Sequence, residues 1–287
     1  MSKKIINKTI LYLILIGFSL IYLIPFWMVI VTSIKANNAL ATANPFVWFP
    51  NLNQINFTAF KRVFTTFTSS NTHQSLILIG IKNTLIILVP VILVGMFSSS
   101  VSAYAYAKLR FKGKKILFGT LIFSMMIPGI ILMIPSYFIY DNLGLTNSFF
   151  PLIVPAMFGS ATGVFFLRQS INAIPNEMLD AARIDGLGFF QIYYKIILPL
   201  SKPALIAQAI LGIIAVYNDY LGPLLYLAND ESKYTLQIAL SFFATGSGSD
   251  LPATMAGSLI SMLPLFVIYF CLQKYFISGI TMSGMKD

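Results

Sequence analysis

Charge is scarce in this sequence. Only 10% of its residues are Asp, Glu, Lys or Arg, against about 25% in soluble domains, which excludes a water-soluble globular protein. Carboxylates are rarest: nine Asp and Glu stand against nineteen Lys and Arg, for a formal charge of +10. An excess of this sign can mark a nucleic-acid binder. Here the basic residues sit in short loops beside apolar runs, where they act as an orientation signal, so no nucleic-acid partner is expected. One histidine, His73, and one cysteine, Cys271, are present. A lone cysteine forms no intrachain disulfide, and within an apolar run Cys271 reads as core packing. His73 stands in a Ser/Asn/Thr-rich turn without ligand companions and reads as a solvated loop residue. The usual metal and nucleophile constellations cannot be assembled from one of each, and no HExxH or Ser/His/Asp set is present. No catalytic residue, metal site or cofactor is therefore expected on this chain. Gly279, Gly284 and Lys286 imitate a phosphate loop, but Met285 intervenes and Asp287 replaces the Ser/Thr.

What the sequence has in abundance is apolar length. Hydrophobic residues make up 57% of the 287, with mean hydropathy +0.81. A helix needs about 20 apolar residues to cross a bilayer, whereas membrane β-strands alternate in shorter pieces. Six runs qualify, approximately 10–34, 83–107, 116–140, 149–167, 203–227 and 253–276. The expected fold is therefore one all-α membrane domain of six transmembrane helices. Ala41-Thr42-Ala43 imitates a signal cleavage site, yet the run before it is far longer than a signal core of about 7–15 residues, so a retained first span is expected. Gly95, Ser99, Ala103 and Ala107 form a small-residue ridge at i+4 spacing, and Gly159 and Gly163 complete a GxxxG; both let helices approach in lipid. Pro128 and Pro135 predict a bent third span. The polar segment 35–82 carries Phe57, Phe60, Val63, Phe64 and Phe67 at helical spacing, an amphipathic helix lying at the membrane surface or packing on the bundle. Placing both termini inside puts fourteen basic residues on the cytoplasmic side. Only Lys35, Lys61, Arg62, Lys82 and Lys233 remain outside. That bias sets the orientation: 35–82 outside, 168–202 and the tail 277–287 inside.

The polar interruption from Ile174 to Pro203 carries the functional argument. Pro175 suits a helix start, and Glu177 suits the positive end of the helix dipole. Asp180 and Arg183 lie one turn apart. Gly186 is expected to end the helix in the left-handed region, and a second helix is expected from about Leu187 to just before Pro199. Ala181 and Ala182 leave one face nearly bare, so a partner can come close. This is a docking element facing the cytoplasm. Asn218 and Asp219 fall within the fifth run, where an intramembrane carboxylate is a functional candidate, as a proton carrier or as gate lining near the outer end of the span.

Asp180-Ala181-Ala182, then Gly186, Ile196 and Leu198-Pro199 resemble the EAA loop of bacterial ABC importer permeases. Asp185-Gly186 and the flanking LPLSKPAL are similar to the carbohydrate, maltose-type branch, specifically its second permease subunit. Asp180 departs from the family's usual Glu. Further blocks resemble the family in order: SAYAYAKLRFKGK, MMIPGIILMIPSYF, GVFFLRQSINAIPNEM, and VYNDYLGPLLYL for its WNDFLxPLxYL. The tail resembles its GLTAGAVKG ending at Gly279, Thr281, Gly284 and Lys286. The resemblance implies a type I ABC importer permease in the bacterial inner membrane, N and C termini cytoplasmic, importing sugar or oligosaccharide. It implies a second homologous permease, two ATPase subunits holding ATP and Mg, and an extracytoplasmic sugar-binding protein as partners. Glu177, Asp180, Ala181, Ala182, Arg183, Asp185 and Gly186 would dock the ATPase, Gly284 and Lys286 would contact it through the tail, and Asn218 and Asp219 would line the pathway or gate. The alternatives are import of another small solute, such as a polyol or glycerol phosphate, and a proton-coupled carrier using Asp219.

Overall fold

Long apolar runs fold as helices because only internal hydrogen bonding satisfies the backbone in lipid. The computed structural model describes residues 3–35, 48–49, 55–66, 68–70, 72–245 and 250–284, with backbone alone at 3–7, 245 and 274–284. No β-strand occurs among the described residues; Lys35–Ile55 and Thr68–Ser75 are isolated bridges. Four helical stretches are long and apolar enough to cross a membrane, or up to six if two sharply bent helix pairs each count as one span. Contacts divide the chain into two units, 1–78 with 239–263, and 79–238 with 264–287.

In the first unit, α1 (Lys3–Ser33) exposes nearly all of its apolar surface, as a helix bathed in lipid does. Helix α2 (Thr58–Thr65) is the amphipathic helix expected from the phenylalanines, with a different inner face; Phe67 of that pattern lies outside the described residues. Ala59 and Val63 are wholly buried while Phe57 is exposed, so this helix packs on protein, with Val63 beside Gly257. Arg62 Nε and Nη2 donate to the two carboxylate oxygens of Asp250 at 2.6 and 3.0 Å. A bidentate geometry of this kind fixes orientation as well as charge. Asp250 Oδ1 also accepts from Ala253 N at 3.1 Å, at the start of the final helix α13 (Leu251–Gly284).

The second unit is a series of broken helices. Helix α3 (Leu76–Lys108) begins in the first unit, seven residues before the expected Asn83. The predicted third span is not one rod: α4 (Lys114–Met125) and α5 (Gly129–Asn142) meet at 97°. Pro128 supplies no N–H to bond back across the joint, and α5 restarts from its carbonyl with Ile131 N donating at 3.1 Å. The fourth run divides into α6 (Phe150–Met157) and α7 (Ala161–Asn172). Gly159 sits in that break at φ +90°, so the Gly159–Gly163 pair is not a GxxxG ridge on one helix. Its packing partner is Ser99, whose Oγ accepts from Ser160 N at 3.2 Å. The fifth run also divides: α10 (Lys202–Tyr217) stops at Asn218, and α11 (Leu221–Leu227) follows. The segment between the fifth and sixth runs contains α12 (Leu236–Thr245), whose Leu236 and Ile238 are fully buried; its 10 residues are too few to cross a bilayer. Cys271 is exposed on α13 and is not a core residue, because that stretch of the helix presents its apolar side chains outward.

A side chain on Gly159 would meet two obstacles, the left-handed backbone and Ser99, whose Oγ and N lie 2.6 and 3.0 Å from the added Cβ. Gly159→Ala is expected to cost about 1–3 kcal/mol and lower the melting temperature of the purified protein in detergent. Gly17→Ala, where a Cβ meets nothing within 4 Å, is the control. Equal melting of the two variants would rule out this packing.

Candidate functional site

The polar interruption folds as a helical hairpin within the second unit. Helix α8 (Asn176–Ile184) starts at Pro175, whose φ of −57° suits a helix entry, with Glu177 in the first turn and Arg183 in the last. Its C-terminus closes as a Schellman motif: Leu187 N donates to Ala182 O, and Gly186 N to Arg183 O, both at 3.0 Å. That closure requires Gly186 at φ +82°. A second helical segment, α9 (Phe189–Leu200), follows, and Gln191 Oε1 accepts from Gly188 N at 3.0 Å to cap its start. Sequence reasoning stopped this helix before Pro199, but the structure carries it through. Residues Tyr193–Ile197 form a π-turn in which Leu198 N donates to Tyr193 O. The wider turn accommodates a proline ring that an α-turn would drive into the carbonyl four residues back.

The hairpin has two faces of opposite character. Leu179, Ala182, Ile192, Tyr193 and Ile197 point inward, packing with Ala103 and Tyr104 of α3 and with Val164, Leu167 and Ile171 of α7. Ala182 is only 6% exposed, which corrects the reading that both alanines offer a bare face. Leu179 and Ala182 are three apart and share one side of α8, and the larger leucine draws that side into the core. The outer face carries Asp180, Ala181, Arg183, Asp185 and three large apolar residues that sequence reasoning missed. Ile184 is 86% exposed, Phe190 83% and Tyr194 72%. No local signal set them apart, because the same stretch also holds Leu179, Ile192, Tyr193 and Ile197, which are buried. Arg183 Nη1 donates to Asp180 Oδ1 at 2.6 Å, both side chains in solvent. An exposed pair of this kind is worth roughly 0–1 kcal/mol, too little to define the hairpin.

What ties the hairpin down is a polar row on α3. Ser100, Tyr104 and Lys108 recur at i+4 and so share a face. Ser100 Oγ and Tyr193 Oη are 2.6 Å apart. Tyr104 Oη donates to Phe189 O at 3.3 Å. Lys108 Nζ donates to Asn172 O, Ile174 O and Asn176 Oδ1 at 3.3, 2.5 and 3.0 Å, so one ammonium clamps the junction of α7 and α8. The sequence showed the spacing but not the partners, which lie 64 to 93 residues away.

The structure does not bring the other candidates to this hairpin. Asn218 and Asp219 lie at the far end of α10, sixteen residues or roughly 24 Å along the helix. Asp219 Oδ1 accepts from Gly222 N at 3.2 Å and caps α11, and Asn218 Nδ2 donates to Ile214 O at 2.9 Å. Asp219 also borders a cavity of about 330 Å³ with Thr84, Val91, Ala215 and Thr235. Gly284 is the last residue of α13, where only backbone is described, and Lys286 lies outside the described residues. Among the described residues no three His, Cys, Asp or Glu cluster closely enough to hold a metal.

Comparison with known proteins adds a family. Residues 91–282 match the family described as binding-protein-dependent transport system inner membrane component. The chain is 36% identical over 204 residues to the arabinooligosaccharides transport system permease protein AraQ of Halalkalibacterium halodurans, covering 71% of this chain and 72% of the relative. It is 30% identical to the melibiose/raffinose/stachyose import permease protein MelC of Bacillus subtilis, with 92% of each chain covered. Its structure resembles that of a bacterial ABC transporter involved in the import of the acidic polysaccharide alginate, at 26% identity and TM-score 0.78, covering 96% of this chain and 99% of the other.

Two substitutions test how the hairpin is held. Gly186→Val imposes local strain of about 1–3 kcal/mol on the Schellman turn, so amide hydrogen exchange across residues 182–188 is expected to quicken while the melting temperature changes little. Lys108→Met removes the clamp, and faster exchange is expected at the α7–α8 junction, restored by Lys108→Arg. Exchange at the wild-type rate in both variants would show that neither feature fixes α8.

Proposed function

The chain belongs to the binding-protein-dependent transport system inner membrane component family, and from that premise we propose that it is one of two permease subunits of an ATP-driven importer of sugars or oligosaccharides. It is a multi-pass membrane permease and not itself an enzyme. In this reading a homologous second permease completes the pathway, two ATPase subunits hold ATP and Mg, and an extracytoplasmic binding protein delivers the sugar. The sugar class rests on the relatives, which are named for arabinooligosaccharides, melibiose, raffinose and stachyose, and on the structural neighbour, described for alginate.

The observation that carries the docking role is the two-faced hairpin. Its inner face is locked to α3 and α7, and its outer face presents Asp180, Arg183, Ile184, Phe190 and Tyr194 to a partner. Large apolar side chains left in solvent mark an interaction surface. Force applied to α8 by a closing ATPase subunit would not be absorbed locally, because the Schellman turn ends the helix rigidly. It would pass through the row Ser100–Tyr104–Lys108 into α3, and through Ser99 to the α6–α7 break. The bundle would then exchange outward- and inward-facing arrangements as packed bodies. The tail residues Gly284 and Lys286 are a second proposed contact with the ATPase. Asn218 and Asp219 are proposed as pathway or gate lining. Because Asp219 spends a carboxylate oxygen on capping α11, this reading is favoured over a proton-carrying one.

Reconstituted vesicles containing the complete transporter test this reading. Uptake of a labelled raffinose-family or arabino-oligosaccharide is expected to require both ATP and the binding protein. Asp180→Lys and Gly186→Val should assemble with the second permease yet lose uptake and stimulated ATPase activity by an order of magnitude or more. Wild-type uptake in both variants would remove the hairpin from coupling, and uptake driven by a proton gradient without ATPase subunits would establish the carrier alternative. The proposed orientation predicts that a cysteine at exposed Lys112 labels only from the cytoplasm and one at exposed Ser70 only from outside. Labelling of both from one side would refute it.

A further inference from the structure

We propose that the crevice between the α3–α4 turn and α8 binds the phosphate of an anionic phospholipid headgroup. The crevice has a volume of about 730 Å³ and is walled by four cations, Lys108, Arg110, Lys114 and Arg183, and one carboxylate, Asp180. Asp180 is already engaged by Arg183, and Glu177 bears on Lys108 from the same helix. That leaves a group of like charges: Arg110 and Arg168 both bear on Lys114, and Arg168 otherwise donates to Tyr106 O and stacks on Phe118 at 4.0 Å. With Asp180 paired to Arg183 and Glu177 acting on Lys108, the charges of Arg110 and Lys114 remain uncompensated and repel one another, and an anion between them relieves that repulsion.

Position selects the anion. Lys108 is the last residue of apolar α3 and Lys114 the first of apolar α4, so the crevice opens where the hydrocarbon region ends. A second cavity of about 560 Å³ shares Leu109, Arg110, Phe111 and Lys114 with it and continues to Lys115 and Ile116. Ile116 is 76% exposed, and Leu117 is exposed beside it. A phospholipid supplies both features at one site, a phosphate for the cations and an acyl chain for the apolar turn below; basic pockets at helix ends bind anionic headgroups in this way. That apolar flank is lined only by residues of the α3–α4 turn and the start of α4, and it includes none of the α8 residues proposed to meet the ATPase subunit. The inference goes beyond the transport reading and does not depend on it.

The test uses the full transporter extracted from phosphatidylcholine membranes containing a minority of phosphatidylglycerol, with retained lipid counted by native mass spectrometry. The wild type is expected to retain phosphatidylglycerol saturably and in preference to phosphatidylcholine. Arg110→Gln with Lys114→Gln is expected to retain roughly tenfold less; Arg110→Lys with Lys114→Arg should restore it, and Lys61→Gln, in the other unit, should not change it. Should the double variant fold poorly, the wild-type titration alone decides, and unsaturable retention overturns the proposal. So does equal retention by the wild type and a folded double variant. Displacement of the lipid by millimolar inorganic phosphate would assign the crevice to a free anion. Loss of copurifying ATPase subunits from the double variant in phosphatidylcholine alone would assign the cations to a protein partner. Either of these results also overturns the proposal.

Discussion

Hydrocarbon offers a peptide group nothing to bond with, so a helix that breaks inside a membrane must satisfy its freed N–H and C=O groups from within the protein. This chain breaks its helices repeatedly, and at several of the breaks a replacement donor or acceptor is in place, whereas the Ser201 hydroxyl at the 75° bend between α9 and α10 is buried without a partner among the described residues. At Pro128 the last turn of α4 tightens, with Met126 N on Phe123 O and Ile127 N on Ser124 O. At Gly159 the hydroxyls of Ser99 and Ser160 take the N–H groups of Ser160 and Gly163. In the hairpin, outside the apolar runs, the backbone before Pro199 likewise widens into a π-turn. After Tyr217 the carboxylate of Asp219 receives the N–H of Gly222.

Those repairs place polar atoms where they also serve between elements. Ser99 satisfies a broken helix and at the same time fixes α3 against the α6–α7 break. One residue along, Ser100 begins the row that reaches the hairpin. A bundle of unbroken apolar helices would pack by shape alone, since lipid is as apolar as the helix surfaces and burial no longer drives association. Here discrete hydrogen bonds give the packing defined positions, which is what the exchange between two packed arrangements proposed above would require.

The cationic α3–α4 turn carries two distinct jobs on neighbouring residues. Lys108 is consumed by protein acceptors and holds the entry to α8. Arg110 and Lys114 line the crevice beside it, where Lys114 also donates to Leu109 O at 2.9 Å. From the sequence alone all five basic residues of this turn are equivalent orientation charges. Only their surroundings separate a structural ammonium from cations open to an anion.

The features legible in the sequence were those set over a few residues. Apolar length, the prolines that break it, and the glycine that ends α8 act through local sterics and backbone hydrogen bonding, so membrane helices and a charged hairpin could be read directly. The resemblance of that hairpin to the EAA loop gave the family. Local rules failed where a distant partner decides. Arg62 and Asp250 are 188 positions apart and gave no sign of pairing. The fourth and fifth runs looked continuous, because hydropathy does not register a change of direction at Gly159 or Asn218. Ala181 and Ala182 are chemically identical and adjacent, yet one faces solvent and the other the core. Helical geometry fixes the angle between them, but which side turns inward depends on where α3 and α7 lie, and that is settled only when the bundle packs.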